Sequence, residues 1–214
     1  RSIFWAGSDI INTLNNSEFQ RRLKLYPQTQ HYCETKEEYE NLKKIGIEAK
    51  IIPSFLEDIY SFPIKYEHSE TPHIWMCAHP SREREYGVDT AIRMAKKFPE
   101  ITFHIYGIFN WLEEEHSKNV IYHGQVPNER LNEEIRQYQC GFRGNLHEGM
   151  SEVPLKSILL GQYAITRMKF EEIWNYQNDE ELEELLKKLK TEKDWNKKGH
   201  RYWRNRLNKF PWVK

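Results

Sequence analysis

An α/β fold with helices flanking a parallel sheet is predicted for this 214-residue chain by three observations. Short β-rich runs bounded by Gly, Pro or polar residues recur along its length, and segments with apolar residues at helical spacing separate them, which is the pattern of βαβ units. Apolar residues make up 38% and aromatics 14%, enough large apolar surface to build a core and too much for a disordered chain.

The strand-like runs fall near residues 2–6, 30–33, 49–52, 73–78, 102–106, 119–122, 140–143 and 162–166. Between them Val88, Ala91, Ile92, Ala95 and Phe98 keep helical spacing, as do Leu182, Leu185, Leu186 and Leu189, so both segments read as helices with one face on the core. Asn128 to Tyr138 reads as a helix entered through Pro127, and another begins near Glu152 or Val153 and stops at Gly161. Residues 55–72 mix Pro, acids and aromatics without periodicity and are the candidate linker. The expected organisation is residues 1–62 as the end of one α/β domain plus linker, 63–193 as a Rossmann-like domain, and 194–214 as a basic, aromatic C-terminal helix. Because the chain opens at Arg1, without Met, and runs straight into a strand, further sequence is expected upstream.

The 32 basic and 32 acidic side chains cancel, so no overall field argues for nucleic acid as a partner. Cys33, Cys77 and Cys140 are scattered in apolar runs and read as buried reduced thiols, which fits a cytoplasmic protein. No metal-ligand spacing is present, and no cofactor is expected. No run is apolar and long enough to span a membrane.

The order of motifs resembles the C-terminal, donor-binding half of GT-B glycosyltransferases of the retaining, nucleotide-sugar-dependent kind. Four blocks carry the likeness. They are Cys33-Glu34-Thr35-Lys36 through Ile51-Ile52-Pro53; His73 to Gly107, with Ser81 to Asp89 in the position of a phosphate-contacting loop; Val120 to Leu131; and Cys140 to Ala164, where a strand is followed by Glu148-Gly149, a helix and a Gly. The resemblance implies a nucleoside-diphosphate sugar as substrate, a glycan, lipid or protein as acceptor, a place in polysaccharide biosynthesis, and an acceptor domain mostly outside this chain.

The candidate site centres on His147 to Ser151. Amides of Gly149, Met150 and Ser151 fall at or near a helix N-terminus, where unpaired N–H groups and the helix dipole favour an anion such as a diphosphate. Gly149 also permits close backbone approach. The resemblance gives Glu148 contact with sugar hydroxyls; the plain alternative is a first-turn carboxylate that stabilises the helix. His147 either bonds the donor sugar or caps the strand end. Arg82 and Arg84 lie in the loop after strand 73–78, at the carboxyl end where such sheets bind ligands, and their guanidinium groups match phosphate oxygens or else are solvated surface charges. Arg143, costly if buried alone, is expected to meet Glu148 or the ligand, or to make a surface ion pair. Gly124 and Val126 would offer backbone contacts to the base.

Two positions depart from the pattern. Tyr86 stands where the resemblance implies a Lys, and Lys156 where it implies a Glu for the ribose; a carboxylate accepts hydroxyl hydrogen bonds, whereas an ammonium only donates. Lys156 therefore either contacts a phosphate, signals a different donor, or marks lost catalysis. Three functions follow: sugar transfer by stabilising the departing diphosphate, a non-catalytic module that binds a nucleotide or a partner, and, weakest, a nucleotide-sugar epimerase. In the tail, Trp195, Tyr202, Trp203, Phe210 and Trp212 alternate with basic residues, a pattern that suits an anionic membrane surface at the inner face, whereas the resemblance implies a final helix that packs back on the N-terminal part.

Overall fold

The computed structural model describes residues 1–110, 117–146 and 148–210. Described residues 1–57, 148–151 and 207–210 group into one compact unit, and 58–110, 117–146 and 152–206 into a second.

In the first unit three parallel strands lie in the order β1 (Ser2–Trp5), β2 (Gln30–Cys33), β3 (Ala49–Ile51). Helices α1 (Ser8–Leu14) and α2 (Ser17–Leu23) connect the first pair and α3 (Lys36–Lys44) the second. Trp5, Ile10, Cys33, Leu42 and Ile47 form the core. The start of α3 is written in Thr35-Lys-Glu-Glu38: the Thr35 hydroxyl accepts the Glu38 N–H while the Glu38 carboxylate accepts the Thr35 N–H at 2.9 Å, a reciprocal capping box.

The second unit is a six-stranded parallel sheet in the order β6-β5-β4-β7-β8-β9. These strands are β4 (His73–Cys77), β5 (Thr102–Tyr106), β6 (Val120–Gly124), β7 (Cys140–Arg143), β8 (Tyr163–Thr166) and β9 (Trp174–Asn175). The helices are α4 (Glu83–Tyr86), α5 (Val88–Lys97), α6 (Asn128–Glu134), α7 (Glu152–Leu159), α8 (Asp179–Leu189) and α9 (Lys197–Asn208). This is the α/β, Rossmann-like parallel sheet that the periodicity predicts. The apolar faces of α5 and α8 supply Val88, Ala91, Ile92 and Ala95, and Leu182, Leu186 and Leu189, to a core shared with the strands. Strand β8 is buried along its whole length, which is why it reads as a continuous apolar run.

The chain proceeds outward from β4 to β5 and β6, then returns to lay β7 on the other side of β4. Strand order reverses there, and in open α/β sheets the crevice beyond the carboxyl ends of such a strand pair is where ligands bind. Within the candidate linker 55–72, Ile59–Ser61 makes a 3₁₀ turn, Phe62 is buried, the Lys65 N–H donates to the Leu160 carbonyl and the Tyr66 hydroxyl to the Glu192 carbonyl. In the tail Trp203 is buried and its indole N–H donates to the Glu171 carbonyl at 2.8 Å, so this aromatic serves packing within its own unit. Trp212 lies outside the described residues.

Candidate functional site

At the carboxyl edge of the second unit, Arg143 ends β7 and Cys77 ends β4, the two strands that flank the reversal. Arg143 is buried; its guanidinium donates to the Cys77 carbonyl at 3.0 Å and lies 4.1 Å from the centre of the Tyr86 ring. A flat cation on a flat aromatic face is a favourable stack. Tyr86, the residue that replaces the Lys implied by the resemblance, is thus the seat for a cation delivered from the neighbouring strand. The sequence signal that could have shown this is the aromatic at 86 paired with an Arg at a strand end.

This seat depends on a backbone contact. Gly87 ends α4 and begins α5 in the left-handed region, with φ 83°, and the Gly144 N–H donates to the Tyr86 carbonyl at 3.2 Å. A Cβ on Gly87 would fall 2.7 Å from the Gly144 Cα, so the loops after β4 and β7 meet back to back where neither carries a side chain. Arg82 and Arg84 flank this turn. Arg82 precedes the first residue of α4 and pairs with Glu85 at 2.6 Å on the surface, and Arg84 lies in the last turn of α4.

Lys156 is buried on α7, and its ammonium donates to the Asn128 side chain at 2.9 Å and pairs with Glu152 at 3.3 Å. It therefore ties the first residue of α6 to α7. Burial pushes the Cys77 thiol up to about 11, with the positive charges of Arg143 and Lys156 acting against that rise and the Glu152 carboxylate adding to it. Gly124 uses its backbone within the fold: its N–H donates to the Ile108 carbonyl at 3.0 Å and its carbonyl accepts from Gly107 at 2.7 Å. Val126 is partly buried on the stretch that leads into α6.

In the first unit, Glu148 is partly buried and Gly149, Met150 and Ser151 are buried; His147 lies outside the described residues. A carboxyl group does rest on the Met150 amide. It is the protein's own Glu34, whose carboxylate accepts that N–H at 2.9 Å and also bonds the Ser54 hydroxyl. A Cβ on Gly149 would sit on the Glu34 carboxylate, so glycine is required for the approach. Beside it the Glu38 carboxylate accepts the N–H groups of Gly7, Glu34 and Thr35, at 2.8, 2.8 and 2.9 Å. Burial, joined by the charges of Glu38 and Glu148, drives the Glu34 carboxyl up to about 7, although the Met150 amide opposes it. Sequence reading places Glu34 only in a motif block. Its position directly after a strand and before the capping-box Thr35 is the signal that marks it as a carboxyl-edge residue.

No family model matches the chain, and no curated protein matches it. Solved structures do resemble it in fold. The pneumococcal O-GlcNAc transferase GtfA, solved with UDP and GlcNAc, superposes with a TM-score of 0.68 at 14% identity over 97% of this chain and 49% of that one. Anabaena Alr3699/HepE, solved with UDP-glucose, gives 0.67 at 12% identity over 96% and 67%. The WaaG glycosyltransferase of lipopolysaccharide biosynthesis gives 0.59 at 14% identity over 95% and 65%. The chain has the fold of these glycosyltransferases and spans about half the length of the pneumococcal enzyme.

Proposed function

We propose that this chain is the donor-binding portion of a GT-B glycosyltransferase that moves a sugar from a nucleoside-diphosphate sugar, without metal or cofactor, to a glycan, lipid or protein acceptor. The observation that carries the reading is the pair of buried cations, Arg143 at the end of β7 and Lys156 on α7, in the unit whose strand order reverses between β4 and β7. Positive charge fixed in a water-poor crevice stabilises a departing diphosphate without reorganising when charge develops. Arg82 and Arg84 add to the phosphate-facing charge of this unit and Gly124 and Val126 serve the base, while the resemblance assigns Glu148 and His147 to the sugar and Gly149-Met150-Ser151 to phosphate. The sugar is retained in configuration and the work takes place on the cytoplasmic side. A likeness in fold to proteins solved with UDP and UDP-glucose supports this reading.

A non-catalytic nucleotide- or partner-binding module is the second reading. It is favoured by Glu34, which already occupies the Met150 amide.

Calorimetric titration of the chain with UDP, GDP, ADP and UDP-glucose tests the proposal. UDP and UDP-glucose should bind, and Arg143→Met should weaken UDP about tenfold to a hundredfold, the worth of charged hydrogen bonds to an anion. A folded chain that binds none of the four overturns donor binding. Glu148→Ala should weaken UDP-glucose about tenfold and leave UDP unchanged, since a single carboxylate–hydroxyl contact is worth about 1.5 kcal/mol. Equal losses for both ligands would remove Glu148 from the sugar subsite.

A further inference from the structure

Three histidines on three adjacent strands form a continuous hydrogen-bonded chain that neither the fold nor the proposed donor site requires. His73 Nδ1 lies 2.7 Å from His104 Nε2, and His104 Nδ1 lies 2.9 Å from His123 Nε2. His73 begins β4, His104 sits in the middle of β5, and His123 lies near the end of β6. The far nitrogen of His123 faces the Glu134 carboxylate of α6 at 3.6 Å. Two tyrosines close the circuit: Tyr106 donates to Glu134 at 2.9 Å and contacts the Tyr138 hydroxyl at 2.8 Å, and Tyr138 contacts His104 Nδ1 at 3.2 Å. The rings also stack, His104 on Tyr138 and Tyr106 on His123, at 4.3 and 4.2 Å between centres. The imidazoles point nitrogen to nitrogen, closer than two ligands of one metal ion would stand, and among the described residues no His, Cys, Asp or Glu cluster is placed to hold one.

Proton counting fixes how this chain works. Each short N···N contact has room for one hydrogen, and a neutral imidazole carries one. His104 must therefore donate on one side and accept on the other. Setting His123 Nδ1–H toward the Glu134 carboxylate makes all three rings Nδ1–H donors pointing the same way. A His104 protonated on both nitrogens would meet a second hydrogen at His73 Nδ1, and His73 would have to change tautomer or lose the contact. The segment that closes over the chain is 124–138, which contributes Arg130, Glu134 and Tyr138 and carries Asn128, the partner of Lys156.

We propose that the His73–His104–His123 chain is an acid-sensitive catch that holds residues 124–138 on the sheet at neutral pH and releases them when a proton enters the chain. The groups facing it are His73 from β4, Tyr106 from β5, His123 from β6, Glu134 and Arg130 from α6, and Tyr138 after the 3₁₀ turn that follows α6. Of these, Glu134 favours a proton on His123, and Arg130 opposes it. Burial, with His73 and His123 adding to it, lowers His104 to about 3. The closed segment thus excludes a proton that an opened one accepts near 6.5. Opening takes up a proton, so it is favoured as pH falls below 6.5 and gains about tenfold for each further pH unit until the folded value is reached.

Hydrogen exchange of the whole chain at pH 7.5 and 5.5, corrected for intrinsic rates, tests the catch. Peptides from 124–138 should lose about tenfold in protection at the lower pH, while α5 keeps its own. His104→Gln, which hydrogen-bonds but does not titrate, should cut that loss to threefold or less; His123→Gln serves the same purpose should the first variant fold poorly. Equal deprotection of α5 and 124–138, or an undiminished loss in the folded variant, overturns the proposal.

Discussion

Gly87→Ala is expected to lower the stability of the second unit by about 2–5 kcal/mol, the sum of a left-handed non-glycine residue and of overpacking. At φ 83° any side chain is strained, and here the new methyl would also meet the Gly144 Cα at 2.7 Å. The neighbour cannot simply retreat, because the Gly144 N–H is held by the Tyr86 carbonyl and the Arg143 guanidinium lies over the Tyr86 ring. Two further variants separate the causes. Gly46 also has a positive φ, 79°, but nothing within 4 Å of its would-be Cβ, so Gly46→Ala should cost about 1 kcal/mol through backbone strain alone. Gly144→Ala should suffer the crowding without the strain, since Gly144 is not among the positive-φ residues. Urea melts of the three variants give the ranking. A Gly87→Ala cost no larger than that of Gly46→Ala would mean that the two loops are free to part, and the seat for Arg143 would lose its rigid base.

The strands were legible in the sequence because a parallel sheet covered on both faces writes itself as apolar runs, and all eight runs are strands within two residues. The two-residue β9 escaped because Trp174-Asn175 has no period to detect. Helices α1 and α2 were missed because their polar, solvated faces dominate their seven residues each. At the site, Arg143 was visible as a charge in a buried strand, but its seat on Tyr86 was not, since two residues 57 apart meet only through the crossing from β4 to β7. For the same reason Glu34 was invisible as the partner of Met150, 116 residues away. Local pattern reports which backbone groups want an anion; only topology reports which anion arrives. The three-histidine chain is the extreme case, because nothing in the spacing of 73, 104 and 123 anticipates a continuous contact.

Glu34→Gln is the other large expected effect, and its sign is opposite to that of a surface carboxylate. The folded-state value of about 7 stands above the ordinary 4.5, chiefly through burial. Between these values the folded protein keeps a proton that the unfolded chain has released, so folding takes up a proton and stability falls as pH rises from 4.5 to about 7, then levels. The difference between the two values corresponds to at most about 3 kcal/mol. Glutamine cannot ionise, yet its carbonyl can still accept the Met150 N–H and its amide can donate to Ser54. Glu34→Gln should therefore stabilise the protein at pH 8 by about 1–3 kcal/mol and leave it little changed at pH 4.5. Chemical unfolding at the two pH values measures this directly. A variant less stable than the parent at pH 8 would show that the ionised carboxylate is the favoured occupant of the Met150 amide, and that this amide selects negative charge strongly enough to offset burial. In that case an incoming diphosphate would have to displace a charged competitor.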